Sequence, residues 1–451
     1  MDNLTMDFYF FFIPNDLLWD NWRKFTGEQV NPADSIDYTI PQVSLCTVAA
    51  GSNYDYAGLP TATANTIQFN NLFGRGLHLV YNEWFRDQNL INSKTVDTGD
   101  GPDTYATYAT LLNAAKKHDY FTSLLPWPQK GDAVEIPLGT SAPITIDQIA
   151  GPSALDGKYL VATGASGADN LHGNSTYGTA ASSTAFVAAD DANFVADLSS
   201  ATAATLNDLR LSIQTQMFLE RDARFGTRYV EIVQSHFGVT PPGGRMYRPE
   251  LLGMGRTGIN FHPVPQTSES ATDQLGTIGA FGTSSRDGIG FYKTFREHGH
   301  ILGLAVVRSD ERYQQGIDRM WSRQTRYDLY WPTFAHLGEQ AVLSKELYAD
   351  GSANDDDVLG YIPHWDDYRT KRSLITGQFR SNHATPLDMY HFGIEYGSRP
   401  TLDQTFIESA VPMSRVKAVT SEPDFIMDLY FNLVSVRPMP THSVPGLGAR
   451  L

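Results

Sequence analysis

The sequence is short of cysteine, of charge and of long apolar runs. Among 451 residues there is a single cysteine, Cys46. One thiol cannot close an intrachain disulfide or build a cysteine-based zinc site, so Cys46 is expected to be a small buried apolar side chain. Charged residues make up only 19%, and the balance is acidic, with a formal net charge of -16. A protein that coats nucleic acid directly carries a basic footprint. Here any contact with DNA must be local or must use a basic helper. No stretch of about 20 apolar residues is present, so no transmembrane helix is expected. The opening residues, Met1 to Pro14, lack a basic region and carry Asp2 and Asp7, unlike a secretory signal. No Gly-x-Ser-x-Gly elbow, P-loop or His-Glu-x-x-His is present. The sequence therefore gives no ground for an enzyme, a catalytic residue or a cofactor.

What is present points to β structure. Hydrophobic residues reach 41% and aromatics 12%, with 38 glycines and 24 prolines. Aromatic strands broken by Gly and Pro turns favour a β-rich fold. Residues 5–13, TMDFYFFFI, place Met6, Phe8, Phe10 and Phe12 on one face at period two, a buried strand. Residues 300–308 and 133–138 read as further strands. Residues 424–437, DFIMDLYFNLVSVR, alternate over a long distance, with Phe425, Met427, Leu429, Phe431 and Leu433 on one side. They are expected to form a buried strand. Helices are expected over 15–26, about 75–86, 202–223 (Leu206, Leu209, Ile213 and Met217 as the stripe, Thr205 and Asp208 as an imperfect capping box) and 229–237. Residues 239–290 are rich in Gly and Pro with no strong period. From 139 to 204 Ala, Gly, Ser, Thr and Asp dominate, as in a long surface insertion. Strands near both chain ends must find distant partners, which fits a Greek-key or jelly-roll sandwich with large insertions.

Four motifs invite a functional reading, each with a plainer rival. Gly253-Met-Gly-Arg-Thr-Gly258 matches G-x-G-x-x-G, but a dinucleotide fingerprint needs a helix to follow, and Pro263 and Pro265 oppose one; a flexible loop is the expectation. His298 and His300 suit two metal ligands with an unidentified third, or a solvated strand edge. Asp355, Asp356 and Asp357 lack the alternating spacing of a calcium loop and read as a loop tip. Arg369, Lys371, Arg372 and Arg380, interleaved with Tyr368 and Phe379, fit phosphate contact and base stacking or intersubunit salt bridges equally well.

Six ordered stretches resemble the major capsid proteins of microviruses, above all the gokushovirus-like branch. They are FFFIPNDLLWDNWRKFTGE at 10–28, YNEWFRDQNL at 81–90, HDYFTSLLPWPQKGD at 118–132, LERDARFGTRYVEIVQSHFGV at 219–239, RYQQGIDRMW at 312–321 and DLYFNLVSVRPMP at 428–440. The resemblance covers nearly everything except about 140–195. It implies a mainly β fold, an eight-stranded antiparallel jelly roll of the viral coat type with large loop insertions and a few short helices. Residues 1–451 would form one capsid domain, with 139–204 a variable insertion projecting from the particle and contributing to host attachment. Chains would self-assemble into an icosahedral shell, one copy per asymmetric unit, around circular single-stranded DNA. Implied partners are further copies of the chain, a small basic DNA-binding virion protein, a pilot protein, the packaged DNA and a host surface receptor. The location would be the virion, assembled in the host bacterial cytoplasm. Family members carry a few dozen residues before the position of Met1, so the first barrel strand is expected to be missing here. A rival class is a β-sandwich carbohydrate-binding module or glycosidase, which needs clustered exposed aromatics and a paired carboxylate set.

Overall fold

The computed structural model describes residues 2–61, 66–135, 144–146, 194–196, 206–241, 248–269, 275–276, 278–419 and 421–438. In chain order its strands are β1 (Leu4–Pro14), β2 (Ile144–Ile146), β3 (Phe194–Ala196), β4 (Glu250–Pro265), β5 (Ile278–Thr283), β6 (Gly299–Ser309), β7 (Glu339–Leu343) and β8 (Val358–Pro363). Three helices matter below: α1 (Leu72–Val80), α2 (Leu206–Arg224) and α3 (Tyr229–Phe237). The chain divides into two compact units. One comprises Met1–Pro126, Pro242–His336 and Ala341–Leu451; the other comprises Trp127–Pro241 and Leu337–Gln340.

The first unit is built on β1. Its apolar residues alternate on both faces, so it is satisfied only with strands on both edges and cover on both sides. The structure provides both. β1 pairs antiparallel with β4 and with β6, in a four-stranded sheet of order β5-β4-β1-β6. A register shift between Phe10 and Phe11 interrupts the β4 pairing, as a bulge does. One face of β1 carries Phe11 and Ile13, packed with Leu302 of β6 and with Leu72, Leu77, Val80, Tyr81 and Phe85 of α1 and the π-helical turn that extends it. α1 comes close because Gly76 faces the sheet: a Cβ there would lie 2.9 Å from the Ile13 side chain. The other face carries Phe10 and Phe12, whose rings meet Phe291 at 5.5 Å and Phe295 at 4.6 Å. Across the sheet, Asp7 is buried and takes the guanidinium of its register partner Arg256 at 2.6 Å.

A polar core lies beneath α1. Arg75 and Asp103 are both buried and form a two-pronged ion pair at 2.7 and 2.8 Å. The remaining Arg75 nitrogen donates to the carbonyls of Leu18 (3.0 Å) and Gly99 (2.8 Å). Asn71 donates to Asp103 and accepts from the Tyr54 hydroxyl. A second apolar cluster gathers Tyr120, Phe121, Leu124, Tyr313, Leu347 and Phe406, and β7 pairs with β8 beside it.

In the second unit α2 and α3 form where the apolar spacing places them, and α3 ends on Gly238 in the left-handed region, at φ 69°. His236 of α3 reaches Asp222 of α2 at 2.7 Å. The α2 stripe of Leu206, Leu209, Ile213 and Met217 is exposed, and only Ala223 of this helix is buried.

Four expectations are corrected or narrowed. Residues 15–26 do not form one helix but a 3-10 turn, Asn15–Leu17, and a single α turn, Trp22–Phe25. Residues 239–290 are no featureless loop, since β4 and β5 lie there. Gly255 conceals β4 from a sequence reading, yet it is required: a Cβ on it would lie 2.7 Å from the Ile289 side chain, which crosses the sheet there. Residues 133–135 are not in a strand, and 136–138 fall outside the described residues, as do Thr205 and nearly all of the 139–204 insertion.

The fourth correction concerns 424–437, which belong to no strand. Phe425, Met427 and Leu429 are 37%, 49% and 43% exposed, whereas Ile426, Tyr430 and Val436 exceed 90%. The alternation shows only in degree and lapses at Phe431 and Leu433, which are 65% and 77% exposed, so no residue of the segment is buried. Periodicity reports which side chains share a face; it does not supply a partner strand, and both edges of β1 are already taken. Leu429 is therefore not a buried core residue within the single chain.

Candidate functional site

The four basic residues singled out in the sequence do not converge on one face. Arg369 projects with its side chain 59% exposed and pairs with Asp366 at 3.1 Å. Lys371 is exposed and donates to the Asp367 carbonyl at 3.3 Å. Arg380 is exposed beyond a 3-10 turn at Gly377–Phe379. Arg372 turns inward. Its guanidinium lies 5.5 Å over the Phe121 ring, donates to the Glu346 carbonyl and comes within 3.8 Å of Asp318. Burial lowers its pKa, so it acts as internal cross-bracing and not as an open cation.

Arg372 lines a small cleft with Tyr120, Asp318, Arg319, Glu346, Asp367 and Thr370. At its centre Glu346 receives the Tyr120 hydroxyl at 2.9 Å and Arg319 at 3.1 Å. Burial pushes the Glu346 carboxyl above its usual range, and Arg319 opposes that rise. Both oxygens of Glu346 are engaged, so Glu346 is not a free base.

The other motifs resolve into structure. Gly253 to Gly258 lies within β4, with no helix after it, so the glycine pattern cannot cradle a pyrophosphate. His298 stacks edge-on against Trp22 at 5.9 Å, and its carbonyl accepts from Asn15. His300 sits on β6 opposite Ile13. Asp355 is clamped by Arg399 at 2.7 Å, which also holds Asp350, and Asp356 pairs with Lys345 at 2.6 Å. Asp355 and Asp356 are thus countered by side chains of their own unit. Among the described residues no group of three or more His, Cys, Asp or Glu side chains is placed to hold a metal. Cys46 is half-buried, and burial pushes its thiol up.

The sequence reading passed over a denser surface at 320–332, MWSRQTRYDLYWP. Short 3-10 turns at Arg319–Ser322, Arg326–Asp328 and Pro332–Phe334 hold its aromatic side chains outward. Trp321 is 74% exposed and Tyr327 58%. Beneath lies Trp365, buried, which donates its indole N–H to the Phe334 carbonyl at 2.8 Å. Trp365 is the one non-glycine residue with positive φ among those described, at 67°. The density of Trp, Tyr and Arg in those thirteen residues was the available signal.

Comparison with known proteins gives a consistent result. The family model described as capsid protein (F protein) matches residues 1–447. "Capsid protein VP1" of Bdellovibrio phage phiMH2K is 49% identical over 470 residues, covering 100% of this chain and 86% of the relative. "Capsid protein VP1" of Chlamydia phage 1 is 38% identical, covering 99% and 87%. The protein of the same name from Spiroplasma virus 4 is 36% identical, covering 99% and 86%.

Proposed function

Because the chain belongs to the phage capsid protein (F protein) family, we propose that it self-assembles through further copies of itself into a closed icosahedral shell around single-stranded DNA. Its role is structural, and the family match over residues 1–447 carries that reading. It displaces the carbohydrate-binding alternative. Support from the chain itself is of three kinds: an antiparallel sheet whose outer edges pair with no strand among the described residues, a long apolar segment at 424–437 that pairs with no strand among them either, and aromatic side chains held outward. We take the sheet to be part of an eight-stranded jelly roll. Expression of the coding sequence should yield closed particles of uniform size by negative-stain electron microscopy. A population that stays monomeric at micromolar concentration, folded by circular dichroism, would sink the reading.

Finer elements belong to the same proposal. The net charge of -16 opposes a polyanion, so the packaged DNA is neutralised mainly by a small basic virion protein, with Arg369, Lys371 and Arg380 making local DNA or intersubunit contacts. A pilot protein completes the particle, which assembles in the bacterial cytoplasm. The polar insertion at 139–204 engages the host receptor, because surface loops vary without disturbing the scaffold. Exchanging it for the insertion of a related phage should redirect adsorption while particles still form. Unaltered host range in the exchanged phage would count against that assignment.

A further inference from the structure

The aromatic surface at 320–332 carries an inference of its own. Its side chains are exposed but not loose. The Trp331 indole N–H donates to the Arg326 carbonyl at 2.8 Å. Arg326 lies 4.9 Å over the Tyr327 ring and donates to its hydroxyl at 2.8 Å. Tyr330 meets Trp365 edge-on at 5.6 Å, and its backbone N–H points at the Tyr368 hydroxyl. Arg323 covers the Tyr368 ring at 4.3 Å. The rings of Tyr327, Tyr330, Trp331 and Tyr368 are therefore ordered before any partner arrives, which lowers the entropic cost of binding.

Size and composition identify the kind of partner. Trp321, Tyr327, Tyr330, Trp331 and Tyr368 are 74%, 58%, 48%, 49% and 44% exposed. With Met320 and Leu329 they expose on the order of 800 Å², more than the largest patch of a typical monomer and about one side of a standard protein interface. Trp, Tyr and Arg are the residue types that dominate binding energy at such interfaces. Charge separates a protein partner from a nucleic acid. Arg323 is paired with Asp367, and Arg369 with Asp366, which leaves Arg326, held against Tyr327, as the cation within the stretch that no carboxylate among the described residues counters, and a single phosphate contact gives little affinity. We propose that this surface is buried against a second copy of the chain in the assembled shell. The inference rests on the capsid reading, which supplies the second copy and many more.

Hydroxyl-radical footprinting read by mass spectrometry tests it on three samples: DNA-filled particles, empty particles and dissociated subunits. Trp321 and Tyr327 should oxidise several-fold more slowly in both kinds of particle than in subunits. Equal rates in particles and subunits would overturn the inference while leaving the capsid reading intact. Protection confined to filled particles would overturn it in favour of a nucleic-acid platform. Failure to form any particle would remove the capsid reading and this inference together. As a second measurement, the Trp321→Ser, Tyr327→Ser double variant should reduce particle yield at least about tenfold with the circular dichroism of the subunit unchanged. Wild-type yield would show that the surface takes no part in assembly.

Discussion

Asp103→Ala should unfold the first unit or bring it close to unfolding. The carboxylate is buried against Arg75, whose side chain has no exposed surface. Removing it leaves a guanidinium sealed in the interior with two backbone carbonyls and no counter-charge. Breaking a buried pair by deleting one partner costs about 3–5 kcal/mol, a large share of a typical stability of about 5–15 kcal/mol. Asn71 would also lose its acceptor, and with it the anchor for the Tyr54 hydroxyl. Chemical denaturation of the purified variant measures the loss. The double change Arg75→Met, Asp103→Leu should recover much of it, because an apolar pair of similar volume carries no desolvation penalty. A single variant within about 1 kcal/mol of wild type would mean that water reaches the pair.

Phe11→Ala should cost a similar amount by a different route. Phe11 is fully buried, and its ring lies 5.5 Å from Trp84 and 5.9 Å from Phe85. It sits on the central strand, where neighbours on both edges prevent collapse into the space. Truncating a buried phenylalanine costs about 3–5 kcal/mol, part of it from the cavity left behind. Denaturant titration checks the size. Val436→Ala is the control: that side chain is 96% exposed, and its loss should change subunit stability by less than about 0.5 kcal/mol.

β1 could be read from the sequence by its alternating aromatic residues and β6 by its short apolar run, neither broken by a glycine run or proline inside the core stretch. β4 could not. Gly253, Gly255, Gly258 and Pro263 are the residues a reader takes for a loop, and only the chain crossing at Ile289 explains the glycine at 255. That crossing joins segments more than thirty residues apart, beyond any local window. The segment 424–437 failed in the opposite sense: its pattern is strand-like and its partner is missing. α2 was correctly placed from its spacing, yet spacing does not say whether a stripe is covered. At the surface, neighbouring basic residues looked like one patch, but Arg372 points the other way from Lys371 and is consumed by Glu346 and Asp318. Side-chain direction at the end of a short turn is set by what packs there. The aromatic stretch 320–332 was visible as composition only; its exposure needed the fold.

The four-stranded sheet stops at β5 and β6, and among the described residues no strand pairs with either outer edge. Six residues of β5 are exposed throughout, and β6 runs eleven residues, long enough to template another strand. Edges of that kind invite unintended growth, chain upon chain, into insoluble ribbons. Newly made copies crowded in one cell therefore face a race between two outcomes that draw on the same backbone groups. Orderly closure hides those groups at fixed angles, whereas ribbon growth hides them without limit. Slowing closure, by scarcity of a partner or by a weakened contact elsewhere, should show up first as sediment, well before any subunit loses its own fold.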